Sequence, residues 1–400
     1  MSTMQTNFTP HRQRARRDWD ALCILLEGIL GMIIAMGIGR FSFTPILPLM
    51  QRDLGISNSI AGWLAGFNYL GYLAGAVLCF IVPRLMRTRY VTISSLFLSI
   101  ATTVTMGLTL SVFFWGILRL ISGIVSAILF ITISAEVGEA LSRRGYSHWL
   151  GSLYGGVGAG IALSGFTIPW LDRIGQWDGA WIGMGVLAAI LVIFGSTITT
   201  RKTADFKFTP EQKHQSQSLR ILWPLIVAYF FEGLGYIVTA TFIVAIVAMT
   251  PGLEDYAAYV WVVVGIAAVP STVVWPLLSR RIGNKNCLLA AYALQFSGIL
   301  VSMYADTVIE ITFTAITFGG TFLGIVALTL AEGSFRMKHD GRKSAAILTA
   351  SFGVGQILGP ILAGFLADLQ ESFALPLILA STCIMIGWIF TLIDRNFISQ

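Results

Sequence analysis

An all-α membrane fold is what this sequence predicts, and three observations carry that expectation: the composition, a series of long apolar runs, and an internal repeat. Of the 400 residues, 56% are hydrophobic and 12% are charged, and the mean hydropathy is +0.78. A soluble domain carries about twice that share of charge. The solvent of this fold is therefore a lipid bilayer.

Runs long enough to cross ~30 Å of hydrocarbon at ~1.5 Å per residue lie near 21–49, 58–82, 90–110, 113–138, 149–170, 179–199, 221–249, 256–279, 287–304, 311–331, 345–367 and 373–393. They predict twelve transmembrane helices. Orientation follows from the basic residues, because short loops rich in lysine and arginine stay in the cytoplasm. Of the 26 lysines and arginines, 22 fall in the N-terminal tail, the loops after even-numbered helices, or the C-terminal tail. Both termini are expected in the cytoplasm, which for a bacterial chain means an inner-membrane protein. Acidic Glu254, Asp255, Asp306, Glu310, Asp368 and Glu371 fall in the opposite loops. The net charge of +6 is thus a matter of topology, and no nucleic-acid partner is needed to explain it.

Along the chain, residues 1–20 form a basic cytoplasmic tail, "HRQRARRDWD" at its end, that anchors the first helix; no cleavage pattern of a signal peptide follows it. Helix 1 holds "GIGRFSFTPILP", with Arg40 ~22 Å from where the helix enters the core near Leu25, hence in the outer half. Helix 2 has two GxxxG steps, Gly62 to Gly66 and Gly71 to Gly75, of the kind that let helix backbones approach. Helix 4 carries Arg119 ~10 Å below the outer surface, at about the depth of Arg40. The 201–220 stretch has a linker's polarity. Glu232 lies ~15 Å into helix 7 from a start near Leu222, close to the midplane. Helix 11 has a GxxxG step of its own, from Gly355 to Gly359. Cys23, Cys79, Cys287 and Cys383 all fall inside helices and form no metal or disulfide pattern.

The second half repeats the first. "GIGRFSFTP" from Gly37 is echoed by "GLGYIVTAT" from Gly233, and "AEVG" at Ala135 by "AEGS" at Ala331, both at a shift of 196. "GGVGAG" at Gly155 is echoed by "FGVGQI" at Phe352. The expected units are therefore bundles of six helices at 21–200 and 221–395.

Two parallel sets of six helices around a polar central loop resemble the major facilitator superfamily of secondary transporters, over nearly the whole chain. The family's loop motif between helices 2 and 3 is degraded here to "CFIVPRLMRTR", with Pro83 for the aspartate and Met86 for the glycine; its second copy, "PLLSRRIGNK", has Arg280 for the aspartate. "RLISG" on helix 4 resembles the Arg-x-x-x-Gly pattern tied in the family to proton coupling, through Arg119 and Gly123. "GVGQILGPILAG" looks like the family's antiporter motif, but it stands on helix 11 rather than helix 5. The pairing of "GRF" with "EGLGY" looks like the YbfB/YjiJ-type branch of bacterial permeases. The resemblance implies that helices 1, 4, 7 and 10 line a central cavity. It also implies a cytoplasmic gate, here expected between Glu136 and Glu332 and the basic loops holding Arg84 and Arg281.

A charge at mid-bilayer costs ~2.5 kcal/mol or more unless paired or hydrated, so Arg40, Arg119 and Glu232 are the candidate site. Each has a structural alternative: Arg119 bonding backbone carbonyls, Arg40 snorkelling outward or bracing the bend at Pro45, Glu232 paired permanently with an arginine. As a site, the two arginines hold the anionic group of a small-molecule substrate, with Phe43, Tyr154 and Tyr236 as lining. Glu232 and Arg119 couple a proton, Glu232 competing for the arginines. The expected function is alternating-access transport of a small organic anion by a monomer, as a proton symporter. Multidrug-type efflux of amphipathic compounds is the alternative within transport, and a non-transporting membrane sensor the alternative outside it. Without a phosphate-binding loop or a catalytic cluster, no enzyme activity and no cofactor are expected.

Overall fold

The computed structural model describes residues 10–83, 88–198, 219–337 and 340–397. Among them helices account for nearly everything, and no residue is in a strand. Helix α1 runs as Pro10–Met32, a π-helical stretch Ile33–Phe41, and Phe43–Leu54. Then come α2 (Asn58–Ile81), α3 (Arg89–Met106) and α4 (Val112–Arg144). The helix Leu150–Ile198 leaves helical geometry at Gly175 and Gln176, where Gln176 takes φ 56°; α5 precedes that break and α6 follows it. The second half holds α7 (Trp223–Ala248), α8 (Ala257–Ile282), α9 (Asn284–Ser302), α10 (Val308–Arg336), α11 (Gly341–Gln370) and α12 (Ala374–Ile393).

Nine helical stretches among the described residues are long and apolar enough to cross a membrane, and the 49-residue stretch that contains α5 and α6 counts as one of them. The expected spans at 149–170 and 179–199 are therefore joined across a kink instead of separated by a loop. Helices α3 and α9 fall outside those nine: they are 18 and 19 residues long and begin with polar or charged side chains. Part of the expected tail at 1–20 is helical. Helix α1 begins at Pro10, and Arg17 Nη2 donates to the Arg144 carbonyl at 2.6 Å while the Tyr146 hydroxyl donates to Asp18, so the tail is docked on the turn after α4. Most of the expected linker, 201–220, lies outside the described residues.

The repeat seen in the sequence is a repeat of contacts. A Cβ on Gly123 of α4 would lie 2.0 Å from the Asn68 carbonyl oxygen of α2, and one on Gly319 of α10 would lie 2.2 Å from the Val264 oxygen of α8. Both residues of the second pair stand at the repeat distance from those of the first. Small residues let backbones touch where a side chain has no room. The halves meet through α2 against α11 and α5 against α8. At the first contact Gly62 faces the Pro360 oxygen, and at the second Gly158 faces that of Gly265. The two GxxxG steps of α2 thus serve different neighbours: Gly62 and Gly66 face α11 across the halves, whereas Gly71 and Gly75 face α4 within one half.

On the pseudo-twofold axis, Thr44 Oγ1 donates to the Ala240 oxygen at 2.7 Å, a contact between residues 196 apart. The Phe43–Leu54 part of α1 packs on α7, whereas Pro10–Met32 packs chiefly on α4 and on the α5–α6 stretch. The halves thus also meet at the end away from the chain termini. There the Asp368 carboxylate of α11 accepts the backbone N–H groups of Asn58 (2.9 Å) and Ser59 (2.7 Å), the first residues of α2. An anion at a helix N-terminus satisfies unpaired donors and the helix dipole together.

Candidate functional site

The site begins with a defect in α1. Over Ile33–Phe41 the helix widens to π geometry, a form rare in proteins and frequent at functional sites. Glycines make room for it: a Cβ on Gly37 would lie 2.4 Å from the Gly160 Cα of α5. The wide turn hands its carbonyls to α4. Ser122 Oγ donates to the Gly39 oxygen at 2.6 Å, and Arg119 Nη2 reaches the Arg40 oxygen at 3.4 Å. Arg119 thus does serve the backbone in part, through one long contact.

The same turn aims Arg40 inward. It is 3% exposed, with its guanidinium carbon 4.1 Å from the Tyr72 ring centre and 4.6 Å from that of Tyr69, so it neither snorkels nor braces Pro45. Its Nε and Nη2 have no hydrogen-bond partner. Arg119, 2% exposed, lies 4.6 Å above the Phe43 ring, and its Nε is also without a partner. Ring faces offset part of the cost of burying a cation but leave its N–H groups unused. Phe43 in turn rests on Trp181 at 6.4 Å. Tyr154 pairs with Phe130 at 5.6 Å, and lies near enough to Tyr72 for the two hydroxyls to interact through space.

Across the axis the chemistry changes. Glu232 is fully buried; its Oε1 accepts from Gln295 Nε2 of α9 at 2.9 Å, and Gln295 Oε1 accepts from Thr321 Oγ1 of α10 at 3.0 Å. Its Oε2 has no partner. The expected contest between Glu232 and the arginines is corrected on this point, because an amide of its own half holds the carboxylate. Tyr236, the repeat counterpart of Arg40, accepts a hydrogen bond from Gln356 of α11 and lies among stacked rings. Phe352 is 5.3 Å from it at 11°, Phe322 5.9 Å at 8°, and Phe318 6.4 Å at 15°.

The expected gate divides. Arg84 lies outside the described residues, and Glu136 stands in the half-buried lower part of α4. Glu332 does not reach Arg281, which is exposed. Its Oε1 accepts from Arg336 Nε at 2.7 Å and its Oε2 from Asn284 at 2.9 Å, and Arg336 Nη1 donates to Asp394 at 2.7 Å. One helical turn separates Glu332 from Arg336, whereas Arg281 would have to fold back into the bundle. This buried triad, the tyrosines Tyr69 and Tyr72, and the amides Gln295 and Gln356 escaped the sequence reading. The amides carried a signal, since each is a lone polar group in an apolar run.

Comparison with known proteins gives a consistent picture. A family model described as an uncharacterised major-facilitator-type transporter, YbfB, matches residues 32–392. The uncharacterized transporter YycB of Bacillus subtilis (strain 168) is 25% identical over 407 residues, covering 94% of this chain and 93% of that one. Among solved structures, a point mutant of the nucleoside transporter NupG superposes with a TM-score of 0.75 at 13% identity, over 93% of this chain and all of the other. A bacterial homolog of the human lysosomal transporter Spinster, inward-facing and unoccupied, superposes with a TM-score of 0.68 at 13% identity, over 95% of this chain and 97% of that one.

Proposed function

The chain belongs to the YbfB-type family of major facilitator transporters, a membrane protein and not an enzyme, and from that premise we propose that it moves a small organic anion by proton-coupled alternating access. The observation that carries the anion is Arg40: a buried guanidinium with two N–H-bearing nitrogens unpartnered, beside a second buried arginine, Arg119, whose Nε is also unpartnered. A buried donor without an acceptor costs roughly 1–3 kcal/mol, more when charged. A carboxylate accepting from both arginines removes that cost and gains charge-assisted bonds, and Arg40's planar fork suits it.

Proton coupling rests on Glu232. Its free Oε2 is a place for a proton, and the groups that face it are Gln295, Tyr229, Tyr236 and Tyr292, with no arginine paired to it. From the basic loops we further propose that both ends of the chain lie in the cytoplasm and the Asp368 latch on the outer face, with bundles at 21–200 and 221–395 working as a monomer in an inner membrane.

Titrating purified protein with benzoate, acetate, phosphate and sulfate, read by tryptophan fluorescence, tests this. At least one anion binds the wild type, Arg40→Lys weakens it, and Arg40→Ala weakens it further, by roughly thirtyfold or more. Equal binding to Arg40→Ala, or no binding of any anion to the wild type, would falsify the reading.

A further inference from the structure

We infer that the anion this site takes is aromatic: a flat ring bearing a carboxylate, with the carboxylate on Arg40 and Arg119 and the ring against the aromatic column of the second half. The inference rests on the anion reading above and adds the class of substrate.

The column supplies the observation. Tyr229 and Phe352 stack at 4.3 Å and 20°, Phe352 and Tyr236 at 5.3 Å and 11°, and Phe318 and Phe322 at 5.3 Å and 9°. Five rings from α7, α10 and α11 therefore present nearly parallel faces. Among the described residues the other ring pairs meet at 32° or more. Trp115 and Trp177 meet at 77°, Phe230 and Phe231 at 82°, and Trp223 and Phe390 at 85°. Edge contacts fill space equally well, since both offset-stacked and edge-to-face arrangements are favourable. Parallel faces differ in what they offer a newcomer: a flat ring can join the series, whereas a puckered ring or an aliphatic chain touches it at a few atoms.

Position joins the column to the cations. A Cβ on Gly353, the residue after Phe352, would lie 3.2 Å from the Leu73 side chain, and Leu73 follows Tyr72, whose ring centre is 4.1 Å from the Arg40 guanidinium carbon. Within the column Phe352, on which Tyr229 and Tyr236 both stack, is the most exposed ring at 9%, the other four being 2–4% exposed. Phe41, next to Arg40, meets Trp261 at 6.3 Å, and the buried Trp261 Nε1 has no acceptor. A spare donor in the same wall suits an oxygen substituent on the ring. Tyrosines that line a cation and rings that stack would together embrace a molecule charged at one end and flat at the other.

Shape-matched probes separate the two claims. Benzoate, cyclohexanecarboxylate and benzyl alcohol are titrated into the purified wild-type protein by calorimetry. Benzoate should bind about tenfold more tightly than cyclohexanecarboxylate, the gain expected of a ring–ring contact, and benzyl alcohol should not bind measurably. Phe352→Leu should weaken benzoate more than cyclohexanecarboxylate and so narrow the difference between the two. Equal affinity of the two carboxylates in the wild type overturns the aromatic assignment and leaves the anion reading intact. Benzyl alcohol binding as well as benzoate overturns the anion reading and leaves a ring site. Failure of all three probes to bind overturns the assignment. The wild-type comparison stands whether or not the variant folds.

Discussion

Arg40 in the first half and Tyr236 in the second occupy the same place in the repeat, and they have opposite surroundings. Arg40 sits on a widened helical turn between two tyrosine faces with donors to spare, whereas Tyr236 sits on a regular α-helix, engaged by Gln356 and stacked in a column. The backbone contacts beneath them are nonetheless shared, Gly123 on Asn68 and Gly319 on Val264. A duplicated scaffold has kept its packing and divided its chemistry: cations in one half, a carboxylate and flat rings in the other. Asp172 and Asp368 diverge in the same way. Asp172 pairs with Arg52 at 2.8 Å inside its own half, while its counterpart reaches across to cap α2.

The largest effect that can break this comparison is expected at Arg336, which has no charged counterpart in the first half. Arg336→Leu strands two buried carboxylates, Glu332 and Asp394, and breaking a buried pair costs about 3–5 kcal/mol. The thermal unfolding midpoint in detergent should fall clearly, and a midpoint within a degree of wild type would show that the triad contributes nothing. Next comes the site itself. Losing a buried charge partner costs about 2–5 kcal/mol, so Arg40→Ala should weaken benzoate binding roughly thirtyfold or more, while Tyr236→Phe loses one neutral hydrogen bond and changes it only a few-fold. Similar losses at both positions would mean that the two halves share the anion.

Packing should show the opposite pattern. Gly123→Ala and Gly319→Ala each force a methyl onto a carbonyl oxygen, and each should destabilise by about 1–3 kcal/mol in chemical denaturation; Gly320→Ala, with nothing within 4 Å, should be neutral. A large difference between the first two would break the claim of shared packing. The smallest expected effect is at the latch. Asp368→Asn removes a charge worth about 0.3–1 kcal/mol at a helix terminus, and should speed alkylation of a Ser59→Cys probe several-fold, with Asp172→Asn leaving it unchanged.

Much of this was legible in the sequence because apolar run length reports the solvent directly. The helices, the duplicated order and the three intramembrane charges follow from it. Partners were less legible. A run of apolar residues says that a helix is buried, and not which neighbour it meets, so the division of α2 between Gly62 facing α11 and Gly71 facing α4 needed the fold. The π turn at Ile33–Phe41 depends on the space that Gly160 leaves, a long-range fact. The companion of Glu232 was not legible, since Gln295 comes from α9, a helix outside the expected cavity set. The alignment of five ring planes belongs to the packed helices alone.

Proton uptake on binding tests the division of labour most directly. Benzoate is added to purified protein in weakly buffered solution, and the pH change is recorded for wild type and Glu232→Gln at matched occupancy. The account predicts that wild-type protein takes up a proton with the anion, and that Glu232→Gln binds benzoate and takes up none. Equal uptake by both proteins, or none by either, would contradict it.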